Sequence, residues 1–210
     1  MDAGQIELPE GRSLAITSGT YKVPNTDIVP APADVVFRIE GGAAEFATAM
    51  QSDMLKSITA PSLDPKQTTG TMQMDIKLNF IQKPDLKPQD INVSADGVFQ
   101  NLHMDRAFGS EPLDNGTVRV KVNGQGLLIN GEGLLGGAAS QFELRQAKDA
   151  TEQDATVSMI IDDAVREKKQ MRTQNLLNGP VTLNLKLTGI GSPKIRELVI
   201  LISKKHRSAD

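Results

Sequence analysis

Residues 70–78 read GTMQMDIKL: behind a glycine and a threonine, Met72, Met74, Ile76 and Leu78 alternate with Gln73, Asp75 and Lys77. Period-two alternation puts successive side chains on opposite faces, so the stretch predicts a strand with one dry and one wet face. The pattern recurs at Val35, Phe37 and Ile39, at Ile91, Val93 and Ala95, and at Val118, Val120 and Val122. It returns at Val157, Met159 and Ile161 and at Val181, Leu183, Leu185 and Leu187, with a shorter copy at Leu14 and Ile16. Two stretches are apolar at every position. Leu127, Leu128 and Ile129 predict a strand covered on both faces, and Leu198 to Ile202 predicts an edge that expects a further neighbour.

Helical periodicity is thinner. Phe46, Met50 and Met54 fall at i, i+4 and i+8, with Ala43 and Ala47 on an adjoining track, which predicts an amphipathic helix over 43–57. Residues 162–174, DDAVREKKQMRTQ, begin acidic and turn basic, in agreement with a helix dipole. Their apolar stripe is little more than Val165 and Met171, so this second helix is expected to be mostly exposed. Turn residues punctuate the chain at Pro24-Asn25, Asn115-Gly116, Asn123-Gly124 and Asn178-Gly179-Pro180. The expected fold is mainly β: a curved, groove-like antiparallel sheet built from repeated units, with one or two short helices.

The opening string has an echo. Residues 179–187 read GPVTLNLKL, matching 70–78 at the glycine, at the aliphatic positions and at the final Lys-Leu, with Asn184 in the place of Asp75. Ahead of each copy the pattern predicts a strand (33–40 or 155–161), a helical segment and a loop. This order predicts one β-rich segment over 1–210 made of two related units, approximately 14–122 and 123–202.

Composition narrows the function classes. The 210 residues carry a net charge of −3 and 39% hydrophobic residues, the balance of a folded protein with a sizeable core. Basic residues are scattered apart from Lys168-Lys169 and the terminal Lys204-Lys205-His206-Arg207, so nothing favours nucleic acid. Aromatic residues are 3% with no Trp, which argues against a stacking platform for sugars or single strands. No apolar run reaches the ~20 residues of a spanning helix, so no membrane span is expected within this segment.

Candidate chemistry is sparse. Cysteine is absent, which excludes thiolate catalysis, disulfides and cysteine metal sites. His103 and His206 lack partners at ligand spacing, so no metal is expected. GEGLLG at 131–136 matches G-x-G-x-x-G, but Phe142 and Leu144 continue an alternating pattern beyond it, which predicts strand–turn–strand and not a phosphate cradle. Asp162-Asp163 reads as a helix cap and first turn. No catalytic residue and no cofactor are expected, and the chain does not read as an enzyme.

What remains is the dry face. At ~1.5–3 kcal/mol per fully buried side chain, a face of this size demands a cover. A protein cover, from another sheet or the 43–57 helix, makes a closed core and a structural or assembly module. A ligand cover makes a groove for acyl chains, at ~0.8 kcal/mol per buried methylene.

SLDPKQTTGTMQMDIKLNF, DLKPQDINVSADGVFQNLHMDRAFG and LDNGTVRVKVNGQGLLINGEGLLGGAASQFEL, in that order, resemble the AsmA-like bacterial envelope proteins, in particular their YhdP-type branch. The shared succession is a D-P-x-x-T-x-G lead-in, an alternating strand, a strand of small residues, then N-G-T and G-x-G-x-L-x-G segments. DDAVREKKQMRTQNLLNGPVTLNLKL is similar to the family's strand–helix–G-P-V unit, and the resemblance covers about residues 30–200. It implies the periplasmic part of an inner-membrane-anchored protein of a Gram-negative bacterium, serving outer-membrane biogenesis. Such proteins conduct phospholipid between the membranes along the greasy groove of a curled sheet. This chain lacks the anchor and the full length, so the resemblance implies an internal segment whose partners are phospholipid and neighbouring repeats of the same longer chain. The groove residues it implies are Met72, Met74, Ile76, Leu78, Val118, Val120, Val122, Val181, Leu183, Leu185 and Leu187.

Overall fold

The computed structural model describes residues 4–51, 63–150, 152–171, 179–189 and 194–202. Its strands are β1 (Gly4–Glu7), β2 (Ser13–Lys22), β3 (Pro32–Gly42), β4 (Thr68–Ile81), β5 (Asn92–Phe108) and β6 (Glu111–Asn123). They continue as β7 (Gly126–Leu135), β8 (Ala138–Ala147), β9 (Asp154–Ile161), β10 (Val181–Thr188) and β11 (Lys194–Ile202). Helix α1 (Ala43–Met50) follows β3, and α2 (Asp163–Lys168) follows β9. The strands form one 11-stranded sheet in chain order, and every neighbouring pair is antiparallel. The mainly-β, open antiparallel sheet expected from the alternation is what the chain forms, and pairing passes without a break from Val122–Leu127 to Asn123–Gly126.

Strand, helix and strand follow in the same order in both copies, as β3–α1–β4 and β9–α2–β10. In an antiparallel meander all odd-numbered strands run the same way, so α1 and α2 leave the same end of the sheet. Ile39 pairs with Met74 and Phe37 with Ile76 in the first copy; Met159 pairs with Leu183 and Val157 with Leu185 in the second. The wet faces differ: Asp75 lies opposite Arg38, whereas Asn184 lies opposite Ser158.

Both helices are shorter than the periodicity predicts. α1 ends at Met50, and 52–62, including Met54, lie outside the described residues. α2 ends at Lys168, where Lys169 departs from helical geometry and Gln170 takes φ 53°; 172–178 lie outside the described residues. Asp162 does cap α2, its Oδ1 accepting from Val165 N at 2.8 Å. As the thin apolar stripe predicts, α2 is mostly exposed, at Asp163, Ala164, Glu167 and Lys168, with Val165 buried; the burial of Arg166 is the departure. His206 and the basic terminal run also lie outside the described residues.

Asn115-Gly116 is not a turn. It sits inside β6 as a bulge, Asn115 taking φ 52°, and the chain reverses instead at Gly109-Ser110. A matching irregularity lies beside it in β5, where Asn101 takes φ 50° and pairing jumps from Phe99–Val118 to Leu102–Gly116. The same β5 bulge is met by β4 at Gly70, where one residue of β4 faces two of β5 between the Thr69–His103 and Thr71–Gln100 pairs. Gly70 adopts φ +125°, and a Cβ there would stand 2.9 Å from the carbonyl oxygens of Gln100 and Asn101.

These adjoining bulges bend the β5–β6 hairpin. The bulges of β5 and β6 each insert one residue and move the buried side from odd to even positions, so that Phe99 and Leu102 are both buried, as are Leu113 and Val118. The tip of the hairpin thereby folds over the dry face: Phe108 stacks edge-on against Phe142 of β8, ring centroids 5.8 Å apart. Three inter-strand steps of ~4.8 Å separate β5 from β8 in a flat sheet, so this contact requires strong curling. α1 covers the dry face nearer the start of the chain, with Phe46 edge-on to Phe99 at 5.5 Å.

Candidate functional site: the apolar sheet face and the polar hollow behind it

Strand register turns the separate alternations into continuous cross-sheet rows. One row runs Ile39–Met74–Gly97–Val120–Ile129–Leu144–Ala155–Leu187–Ile195. The next runs Gly41–Met72–Phe99–Val118–Gly131–Phe142–Val157–Leu185–Leu198. Further down, Phe37–Ile76–Ala95–Val122–Leu127 crosses β3 to β7, and Val35–Leu78–Val93 lies beyond it. On the side of the helices, Leu183 joins Met159 and Ile200, and Val181 joins Ile161 and Ile202. Every groove residue implied by the resemblance therefore lies on one face of the sheet.

That face is not uniformly open. Met72, Met74, Val118, Val181 and Leu187 are between 3% and 9% exposed, hence covered by protein. Ile76, Leu78, Val120, Val122, Leu183 and Leu185 are half-buried, as is every member of the Phe37–Leu127 row. The structure thus divides the set into a covered part and a half-open part. At four inter-strand steps of ~4.8 Å, the half-open row is about 19 Å long.

The opposite face is wet and patterned. Arg38, Asp75, Asp96 and Lys121 follow one another across β3 to β6. Arg38 donates to both carboxylate oxygens of Asp75, Nε to Oδ1 at 2.7 Å and Nη2 to Oδ2 at 2.8 Å, which holds the Asp75 carboxyl below its usual range. Lys121 Nζ stands 3.5 Å from Asp96 Oδ2. Leu128, which gave β7 its apolar-on-both-sides character, lies on this wet face between Lys121 and Arg145 and is half-buried beside them.

A hollow of about 700 Å³ opens on the wet face of β5–β11, lined among others by Arg119, Glu132, Gln141, Glu143, Ser158 and Lys186. Lys186 donates to Glu197 at 2.6 Å and Arg145 donates to Glu143 at 2.7 Å, so the charges there are largely paired among themselves. No group of three or more metal-ligating side chains occurs among the described residues. GEGLLG is spent on β7 and the Gly136-Gly137 turn into β8, the strand–turn–strand arrangement expected of it.

Two polar assemblies escaped the sequence reading. His103, on β5 just past the bulge, lies 2.6 Å through Nδ1 from Asp114 Oδ1 and 3.0 Å through Nε2 from Asp105 Oδ1. Hydrogen bonds to Asp114 first and Asp105 second raise its pKa above the ordinary 6.5. Arg166 of α2, 3% exposed, donates to the carbonyls of Ile161 at 3.1 Å and Gly179 at 2.8 Å and pairs with Asp163. It ties the end of β9 to the approach to β10. Its signal was D-D-x-x-R at the helix start, but only the fold brings Gly179 within reach.

Comparison with protein-family models, curated proteins and solved structures finds no match. No helix among the described residues is long and apolar enough to cross a membrane.

Proposed function

We propose that this chain is a segment of a periplasmic bridge-like lipid-transfer protein of the AsmA-like kind, and that its dry sheet face receives phospholipid acyl chains. The observations that carry the reading are two rows of apolar residues and glycines, with no polar member, in register across β3 to β11, and the half-open Phe37–Leu127 row beside them across β3 to β7. Such a track has no polar toll along it. An acyl chain laid on the half-open Phe37–Ile76–Ala95–Val122–Leu127 row gains ~0.8 kcal/mol per methylene without a specific polar contact. The row's ~19 Å is comparable to an extended fatty-acyl chain. Binding of this kind discriminates poorly between headgroups, as a conduit requires.

Native mass spectrometry of the purified protein, before and after incubation with phosphatidylethanolamine vesicles, tests the reading. Bound phospholipid is the expected result; a protein that stays lipid-free in both conditions overturns it. A second reading, a structural or assembly module of the cell envelope with a closed β core, is favoured by the covered state of Met72, Met74, Val118, Val181 and Leu187. Lipid-free protein is its expected outcome.

A further inference from the structure

We propose that the tip of the β5–β6 hairpin, residues 106–111, is a hinged lid on the dry face, latched while His103 is protonated and released when it is neutral. The hinge is a gap in the ladder. Between the Met104–Leu113 and Phe108–Glu111 pairs, Asp105, Arg106 and Ala107 of β5 face Pro112 alone, and among the described residues no strand pair fills the gap. Pro112 has no N–H to donate. The neighbouring groups turn away from the hairpin: Asp105 N donates to Gln67 O at 3.1 Å, and Pro112 O accepts from Gly136 N at 2.8 Å. Backbone bonds thus tie the neck to its flanks without carrying through it to the tip.

Side chains seat the tip instead. Phe108 lies edge-on to Phe142 at 5.8 Å, Glu111 pairs with Lys169 beyond α2, and the His103 assembly closes the base. His103 reaches Asp114 of β6 through Nδ1 and Asp105 in the neck through Nε2, so the ring spans both strands at the hinge. Thr69 of β4 stands opposite His103 and Leu134 of β7 opposite Asp114, and neither carries charge. Among the described residues, Asp114 and Asp105 are the charged groups that act on the ring. Imidazolium donates through both nitrogens, whereas neutral imidazole keeps one donor and turns a lone pair towards the other carboxylate. Loss of the proton therefore exchanges one of two charge-assisted bonds for a repulsive contact at the neck.

Release uncovers apolar surface. Phe142 is 9% exposed and shares its covered row with Val118 and Val157, while Ala107 and Phe108 pack onto the core from the tip. Raising the tip bares that row to whatever the dry face carries, so the lid does not depend on acyl chains lying there. The ring is 37% exposed, and solvent screening limits the gain on release to about fivefold in the ratio of open to closed tip.

Fluorine NMR of the intact chain, with its six phenylalanines replaced by 4-fluorophenylalanine, reads the lid from about pH 5.5 to pH 8.5. Phe108 and Phe142 should shift along one titration curve with a midpoint above 6.5. Water access at Phe142, measured as the isotope shift between H2O and D2O, should rise on the alkaline side. Phe46 and Phe99, edge-on at 5.5 Å on the same face but beside α1, are the internal control and should not respond. His103→Gln should make Phe142 insensitive to pH. Asp114→Asn, which leaves the ring one carboxylate, should bring the midpoint down towards 6.5. Constant water access at Phe142 in the wild type, a titration that survives in His103→Gln, an equal response of Phe46 and Phe99, or an unmoved midpoint in Asp114→Asn would each overturn the proposal.

Discussion

His103 and Asp114 meet across the paired kinks of β5 and β6, Nδ1 2.6 Å from Oδ1, with Asp105 at 3.0 Å on the other side of the ring. The imidazolium donates through both nitrogens to carboxylates on the two strands of the bent hairpin, so it ties the fold-over that brings Phe108 onto Phe142. Protonated His103 is favoured in the folded state, and its folded pKa lies above the unfolded value. The stability it adds is therefore fully present below about pH 6.5 and is lost as pH rises through the folded pKa. Its side chain is 37% exposed, so solvent screening holds the effect to below about 1 kcal/mol. Thermal unfolding from pH 5.5 to pH 8.5 should show wild type losing a stability increment that His103→Gln lacks, with the two proteins converging at the alkaline end.

Gly70 is expected to be intolerant of any side chain. Its φ of +125° is strained for every L-residue, and a Cβ would press on the backbone oxygens of Gln100 and Asn101, which cannot rotate away. Gly70→Ala should cost on the order of 1–3 kcal/mol. The cost should be measurable as a lowered denaturant midpoint with an unchanged m-value.

Arg166, itself 3% exposed, holds the carbonyls of half-buried Ile161 and Gly179. Arg166→Ala should destabilise by about 1–3 kcal/mol through those stranded acceptors. Arg166→Met restores the packed stem but not the donors, so it should recover only part of the loss. Hydrogen exchange should place the new openings at the end of β9 and the start of β10, leaving β4 and β5 protected.

The strands and their faces were legible because alternation is a local signal: Met72, Val118 and Leu185 needed no partner to announce which side they occupy. Asn115-Gly116 misled for the same reason, since a positive-φ pair reads alike in a turn and in a bulge, and the choice is made by Leu102 and Gly133 on the neighbouring strands. The helices were readable in their first turns, where Asp162 caps, but not in their ends. Coverage of the dry face was the least legible. Met74 and Ile76 are neighbours in one alternation, yet Met74 is 4% exposed and Ile76 is half-buried, a difference set by α1 and by curling that the strand does not encode.

That difference supplies an internal control for the proposed function. Met74→Asp would bury a carboxylate with no partner and should unfold the protein, at a cost of at least about 3 kcal/mol. Ile76→Asp and Leu185→Asp place the same group where water reaches, and each should remain folded with a reduced melting temperature. If acyl chains lie on the half-open row, Ile76→Asp should also strip co-purifying phospholipid, by at least several-fold in native mass spectra. A conservative Ile76→Val should retain it. The closed-core reading predicts no such difference: Ile76→Asp unfolds much as Met74→Asp does, and there is no lipid to lose. The two measurements, melting temperature and bound lipid, separate the readings at a single residue.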